Sequence, residues 1–155
     1  MAATPDRVAL LERYDDGARA VRAALAEATD AELDRRAADG WSARQVVHHL
    51  ADSEMTSAIR LRRLLCEESP VLSAYDEEEF ARRLHYDVRP IEPSLAALEA
   101  ARRTSSDILR LAGEADWSRA GTHSESGAYS VDDWLATYAV HAHDHADQIR
   151  RALGR

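Results

Sequence analysis

The chain has 155 residues, 45% of them hydrophobic and 31% charged, with a formal net charge of −8; this suffices for one domain with a buried core and excludes the basic field that a general nucleic-acid binder needs. A single cysteine, Cys66, rules out an internal disulfide framework and fits a reducing compartment, so the cytoplasm is expected. No apolar run nears the roughly 18 residues of a membrane span, and no signal-peptide core follows Met1-Ala2-Ala3-Thr4-Pro5-Asp6.

Only six Gly and four Pro punctuate a sequence rich in Ala, Leu, Arg and Glu, which favours helix over sheet. The first predicted helix opens after Thr4, with Pro5 where a missing N–H costs nothing. Val8, Leu11, Ala18, Val21 and Leu25 carry its stripe to about Glu27. The polar stretch from Thr29 to Gly40 has room for one short turn, marked by the capping-box spacing of Thr29 and Glu32. A second helix starts at the Ser42 cap, with Gln45 at the box position and Trp41 placed to staple onto Val46. Val46, Leu50, Leu61, Leu64 and Leu65 take it to Cys66 or Glu67, and Ser69-Pro70 ends it.

Residues 70–91 are less regular: Asp76 to Leu84 suits a short helix, while Arg89-Pro90 and Glu92-Pro93 break the chain. Pro93 begins a third long helix through Leu95, Leu98, Ile108 and Leu111, stopping at Gly113. A polar loop is expected from about Glu114 to Gly127. The fourth long helix repeats the device of the second, with Ser130 as cap, Asp133 at the box position and Tyr129 facing Trp134. Its stripe of Val131, Trp134, Leu135, Tyr138, Ala142, Ile149 and Leu153 runs almost to the C-terminus. Asp132 and Asp133 at its start and Arg150 and Arg151 at its end suit the helix dipole. The expectation is an all-α four-helix bundle forming one domain over residues 1–155.

Five of the seven histidines fall in two of these helices: His48 and His49, then His141, His143 and His145. Residues four apart share a helix face, so His141 and His145 can aim two imidazoles at one spot, on the inward side with Trp134 and Tyr138. His143 points elsewhere. In the second helix His49 lies on the stripe of Val46 and Leu50, with the small Ser53 and Ser57 beside it. His48 shares a face with Arg44, Ala51, Asp52 and Met55, so His49 is favoured as the inward member. Three neutral imidazoles meeting in a bundle suit Zn²⁺, Ni²⁺ or another borderline divalent ion and leave coordination positions open. An HxxxH pair alone is more often two core or surface histidines than a metal site; a third inward histidine on a separate helix brings the two readings level. Ala142 follows His141, so the glutamate of a HExxH metalloprotease is missing.

Two segments, Gly40-Trp41-Ser42-Ala43-Arg44-Gln45-Val46-Val47-His48-His49-Leu50-Ala51-Asp52-Ser53-Glu54 and Tyr138-Ala139-Val140-His141-Ala142-His143-Asp144-His145, resemble the DinB-like superfamily. Supporting pieces are Tyr75-Asp76-Glu77-Glu78-Glu79-Phe80 and Gly121-Thr122-His123. The likeness runs from about residue 5 to residue 153 and is nearest to the thiol S-transferase branch typified by bacillithiol transferases. It implies an up-down-down-up bundle whose divalent metal is held by His49, His141 and His145. Two positions depart from the pattern: Asp144 stands where many relatives have histidine, and Val140 where a relative has tryptophan.

The activity implied is conjugation of a low-molecular-weight thiol, of the bacillithiol or mycothiol type, to an electrophile, with the metal holding the thiol as thiolate. The alternatives are a hydrolase that activates water on the metal, and a noncatalytic metal-binding stress-response protein. Expected partners are a small-molecule thiol and electrophile, with no nucleic acid or membrane; relatives of this kind often dimerise, so a homodimer is compatible. Asp52 and Glu54 could serve as bases near the site, although helix-surface charges are the commoner case. Asp144 could orient a ligand or sit in solvent. Cys66 is expected as a small buried hydrophobe, and Trp41 and Trp134 as staple and core. Arg60, Arg62 and Arg63 form a solvated face with apolar stems, or a site for an anionic thiol or carboxylate. Tyr138 could line the pocket or pack in the core.

Overall fold

A computed structural model describes residues 5–38 and 40–155. In chain order its helices are α1 (Pro5–Leu25), α2 (Asp30–Leu33), α3 (Ala43–Cys66), α4 (Glu77–Arg83), α5 (Glu92–Leu111) and α6 (Val131–Leu153). Helices α1, α3, α5 and α6 are the four long ones predicted, and α2 and α4 are the short turn after Thr29 and the short helix after Asp76. All three expected capping boxes form, the one at Thr29 and Glu32 included. The Gln45 N–H donates to Ser42 Oγ at 3.2 Å while the Ser42 N–H donates to Gln45 Oε1 at 2.9 Å. Ser130 and Asp133 repeat the exchange at 3.1 and 2.8 Å, which satisfies N–H groups that the first turn otherwise leaves unpaired. The expected cap at Thr4 lies outside the described residues.

Side-chain pairs fix the directions of the four long helices. Arg7 at the start of α1 makes two bonds of 2.9 Å to Asp132 in the first turn of α6 and a third to Glu114 just beyond α5. Helices α1 and α6 are therefore parallel, with α5 reversed. His48 meets Ser94 and Arg62 meets Ser105, so α3 runs parallel to α5. Trp134 near the start of α6 donates to the Ser57 carbonyl, while His145, three turns on, lies against His49; α3 and α6 are thus antiparallel. The result is an up-down-down-up bundle in which α1 and α3 each lie against both α5 and α6. Among the described residues no helix is long and apolar enough to cross a membrane.

Helices α1 and α6 approach closely because their facing residues are small. A Cβ on Gly17 would fall 2.9 Å from Ala142 Cβ and 2.6 Å from a guanidinium nitrogen of Arg102, so glycine at 17 sets the spacing.

The core has two apolar halves. Val21, Val46, Val47, Leu50, Leu95, Leu98, Ile149 and Leu153 fill one. Tyr14, Leu61, Leu64, Leu72, Leu109, Trp134 and Leu135 fill the other. Between them lies a polar layer containing Glu54 and Arg102, both buried and paired to one another. Arg102 also donates to the carbonyls of Tyr14 and Tyr138 and stacks 3.9 Å from the Tyr14 ring centroid.

Two expectations need correction. Residues 114–127, expected as a polar loop, hold a 3-10 turn (Glu114–Ser118) and the central strand of a small sheet. That sheet joins β1 (Val71–Leu72), β2 (Ala120–His123) and β3 (Gly127–Ser130), with β1 parallel and β3 antiparallel to β2. Strands this short show no readable alternation, and β1 pairs with residues 51 positions away (Val71 with Thr122). Gly121 is required there, since a Cβ would lie 2.2 Å from the Pro70 carbonyl oxygen. Second, Cys66 is exposed rather than buried. It is the last residue of α3, two positions beyond the buried Leu64 and therefore on the opposite side of the helix.

Candidate metal centre

The inward stripes of α3 and α6 bring His49, His141 and His145 together, with one potential ligand atom from each within 4.8 Å of the others. Their ring centroids are separated by 5.8 Å (His49–His141), 4.8 Å (His49–His145) and 4.6 Å (His141–His145). Two of the three come from one helix face, one turn apart, and the third from the antiparallel neighbour.

The chemistry of the three rings fits a divalent cation. His49 is 3% exposed, and its buried Nδ1, like that of His141, has no hydrogen-bond partner among the described residues. Burial, followed by the neighbouring imidazoles, depresses His49 to about 4 and His141 to about 3. Burial also lowers His145. All three rings are therefore neutral at pH 7, the protonation state that ligates a metal. Buried polar atoms without partners are costly, and a cation ligated through those nitrogens of His49 and His141, with His145 as third donor, would satisfy both.

Gln148, which sequence reasoning did not single out, stands three residues after His145 and accepts from its Nδ1 at 2.7 Å through Oε1. That bond places the proton on Nδ1 and leaves Nε2 free as a donor to metal, the usual orienting arrangement for a ligating histidine. Gln148→Leu is expected to weaken metal binding about 10- to 100-fold without unfolding the bundle; competition against a chromogenic chelator measures it, and wild-type affinity in the variant would deny Gln148 this role. On the opposite flank the Trp41 ring stands edge-on to His49 at 5.6 Å, with its indole N–H donated to Glu78. Tyr138 packs edge-on to His141 at 5.5 Å.

The other candidates take separate places. His48 is completely buried in the α3–α5 contact: its Nε2–H donates to the Arg89 carbonyl at 3.0 Å and its Nδ1 accepts from Ser94 at 2.7 Å. Both nitrogens are used, so His48 holds α5 and His49 faces the centre. His143 bonds to the Arg13 carbonyl on α1. Asp144 is exposed and makes no bond to the three rings; Gln148 occupies the orienting position instead. Glu54 is neither a surface charge nor a free base, because its carboxylate is completely buried against Arg102. Asp52, half-buried, accepts from the Tyr86 hydroxyl. Trp134 is core, and Tyr138 serves both as core and as pocket wall. Arg62 and Arg63 turn away to Ala58, Ser105, Glu67 and Val71. Arg60 alone of that cluster reaches the site's surroundings.

A cavity of about 390 Å³ adjoins the centre at His141. His141, Tyr138 and Thr137 of α6 and Ser53 and Arg60 of α3 form one side, and Tyr75, Glu77, His123 and Glu125 the other. No periodicity marks Tyr75 or His123, since the irregular connections deliver them.

The depressed imidazoles make a pH prediction for the metal-free protein. Their ordinary value is 6.5 and the folded values of His49 and His141 are about 4 and about 3. Between these limits the unfolded chain binds more protons than the folded one, so stability is full above about pH 6.5 and falls as pH drops toward 4. Urea midpoints measured from pH 7.5 to 4.5 should decline over that window, and flat midpoints would contradict it. Bound metal should be released in the same range, because protons compete for the same nitrogens.

A helical bundle with a three-histidine centre is the class that the fold and site define. The family model described as the DinB superfamily matches residues 13–149, and the chain belongs to that superfamily. A relative from Oceanobacillus iheyensis is 42% identical over 110 residues, which cover 71% of this chain and 63% of that protein. One from Bacillus licheniformis is 36% identical over 137 residues, covering 84% of this chain and 75% of that protein. Both bear the name "Putative metal-dependent hydrolase". The solved structure of YfiT from Bacillus subtilis superposes with a TM-score of 0.90 at 28% identity, covering 98% of this chain and 88% of that one. It is described as "a probable metal-dependent hydrolase with an unusual four-helix bundle topology".

Proposed function

We propose that this protein is a metal-dependent transferase joining a low-molecular-weight thiol to an electrophilic substrate, with Zn²⁺ or Ni²⁺ on His49, His141 and His145. The observation that carries this reading is a neutral three-imidazole centre beside a small-molecule cavity whose buried wall carries no carboxylate, Glu77 and Glu125 both being exposed at its rim. The ion would supply Lewis acidity, holding a coordinated thiol as thiolate without a protein base. The chain's own residues do the rest. Gln148 fixes the His145 tautomer, Trp41 and Tyr138 hold two rings edge-on, and burial keeps all three imidazoles uncharged. The adjoining cavity would hold the electrophile beside His141, where the S–H proton would pass to solvent through the open side and the carbon–sulfur bond would form as the bond to the leaving group breaks.

The test incubates zinc- or nickel-loaded protein with bacillithiol, mycothiol or glutathione and a fluorogenic alkylating electrophile. Conjugation that depends on both metal and His49 supports the proposal; none with any of the three thiols overturns it. Hydrolysis is the second reading, favoured by the names of the relatives and by Glu77, an exposed carboxylate on the cavity rim. Ester or amide turnover in thiol-free buffer would select it.

A further inference from the structure

We infer that the cavity beside the histidines takes a substrate bearing a carboxylate, and that Arg60 is the residue that recognises it. This deepens the small-molecule reading above and rests on it, but stands on different atoms. Arg60 lies on the same side of α3 as His49, three helical turns farther on. It is on the far side of Tyr138 from the imidazoles: the Tyr138 ring is edge-on to His141, and its hydroxyl accepts from Arg60 Nη1 at 3.3 Å. The other terminal nitrogen donates to the Ser73 carbonyl. Neither acceptor is charged, and Arg60 forms no ion pair among the described residues. Its remaining N–H groups are free for a ligand, and the planar fork matches a carboxylate.

The rest of the wall is rich in donors. The Tyr75 hydroxyl is buried without a hydrogen-bond partner among the described residues. His123 accepts the backbone N–H groups of Glu125 and Ser126 on Nδ1, at 3.2 and 3.4 Å, which places its proton on Nε2. The two acids of the lining, Glu77 and Glu125, are both exposed and belong to the rim. A guanidinium, an unsatisfied hydroxyl and an imidazole N–H around one space call for an acceptor with several lone pairs. The cavity wall from Ser53 to Arg60 spans about 10 Å of helix, so the carboxylate sits at the end of the substrate away from the reacting atoms.

The experiment is calorimetric titration of the full chain, metal-free and zinc-loaded, with succinate, glutarate and adipate, and with glutaramide as the uncharged comparator. At least one dicarboxylate is expected to bind in the millimolar range and the diamide not at all. Arg60→Gln should weaken that binding at least tenfold in both metal states, because the anchor is the guanidinium and not the ion. Tyr75→Phe should weaken it several-fold, and Arg60→Lys should recover part of the loss. Should Arg60→Gln lower the melting temperature through its bond to Ser73, the Lys and Phe variants decide the matter. Equal binding by wild type and both Arg60 variants, or binding confined to the zinc-loaded form, overturns the proposal, as does absence of heat with all three acids. Arg60-dependent binding without thiol conjugation would leave this subsite standing and remove the transferase reading alone.

Discussion

His145→Ala protein, purified beside the wild type from metal-replete medium, should retain about a tenth or less of the wild-type divalent metal. Losing the orienting partner of a ligating histidine typically costs 10- to 100-fold in affinity, and losing the ligand itself should cost at least as much. The substitution also removes the ring that stands within 5 Å of both other imidazoles, so the remaining pair has no third donor from either helix. His143→Ala is the matched control. It lies two residues away on the same helix, bonds to the Arg13 carbonyl on α1 and should leave metal content unchanged. Elemental analysis with far-ultraviolet circular dichroism on the same samples separates loss of the ion from loss of the fold. Equal metal in wild type and His145→Ala would remove the centre from consideration.

The second large effect concerns stability. Arg102→Met should destabilise the protein by about 3–5 kcal/mol, the usual cost of stranding one member of a buried pair. For a chain of this size that is a fall of about 10 °C in melting temperature. Glu54 is completely buried, and burial already raises its carboxyl above the usual range despite the compensating charge of Arg102. Without the guanidinium it must take up a proton or remain an isolated charge. Two main-chain carbonyls, at Tyr14 and Tyr138, lose the same donor. The double variant Glu54→Leu/Arg102→Met should regain a large part of the loss, since two apolar groups need no partner. Calorimetric melting of the three variants measures this, and a single variant within 1 kcal/mol of wild type would show that the pair is not stabilising in the sense described.

The two halves of the molecule differ in how legible they were. The long helices declare themselves through capping boxes at Ser42 and Ser130 and through stripes that the core confirms except at their ends, where Val8 and Leu111 are exposed because they lie at the tips of the bundle's helices. The same stripes gave the histidine pair of α6 and the preference for His49 over His48. The buried ion pair was also written there, although as a conflict: Glu54 continues the inward series Leu50, Ser57 and Leu61, and Arg102 continues Leu95, Leu98 and Leu109. A charge at such a position reads as surface when each helix is taken alone; only opposite charges on two inward stripes together signal a pair. Gln148 was one i, i+3 step from a ligand. The small sheet and the side of the cavity that the connections supply could not be read from pattern, because they depend on contacts between segments far apart in sequence, where neither propensity nor period applies; the helical side, with Ser53, Arg60, Tyr138 and His141, was within reach.

That contrast has an evolutionary side. The candidate ligand nitrogens belong to the long helices α3 and α6, whereas Tyr75, Glu77, His123 and Glu125 arrive on two excursions of the chain outside the long helices. Excursions tolerate insertion and replacement far better than packed helices do. Descendants of this scaffold can therefore exchange what they recognise by rewriting two short stretches, each without disturbing the chemistry that the bundle keeps in place.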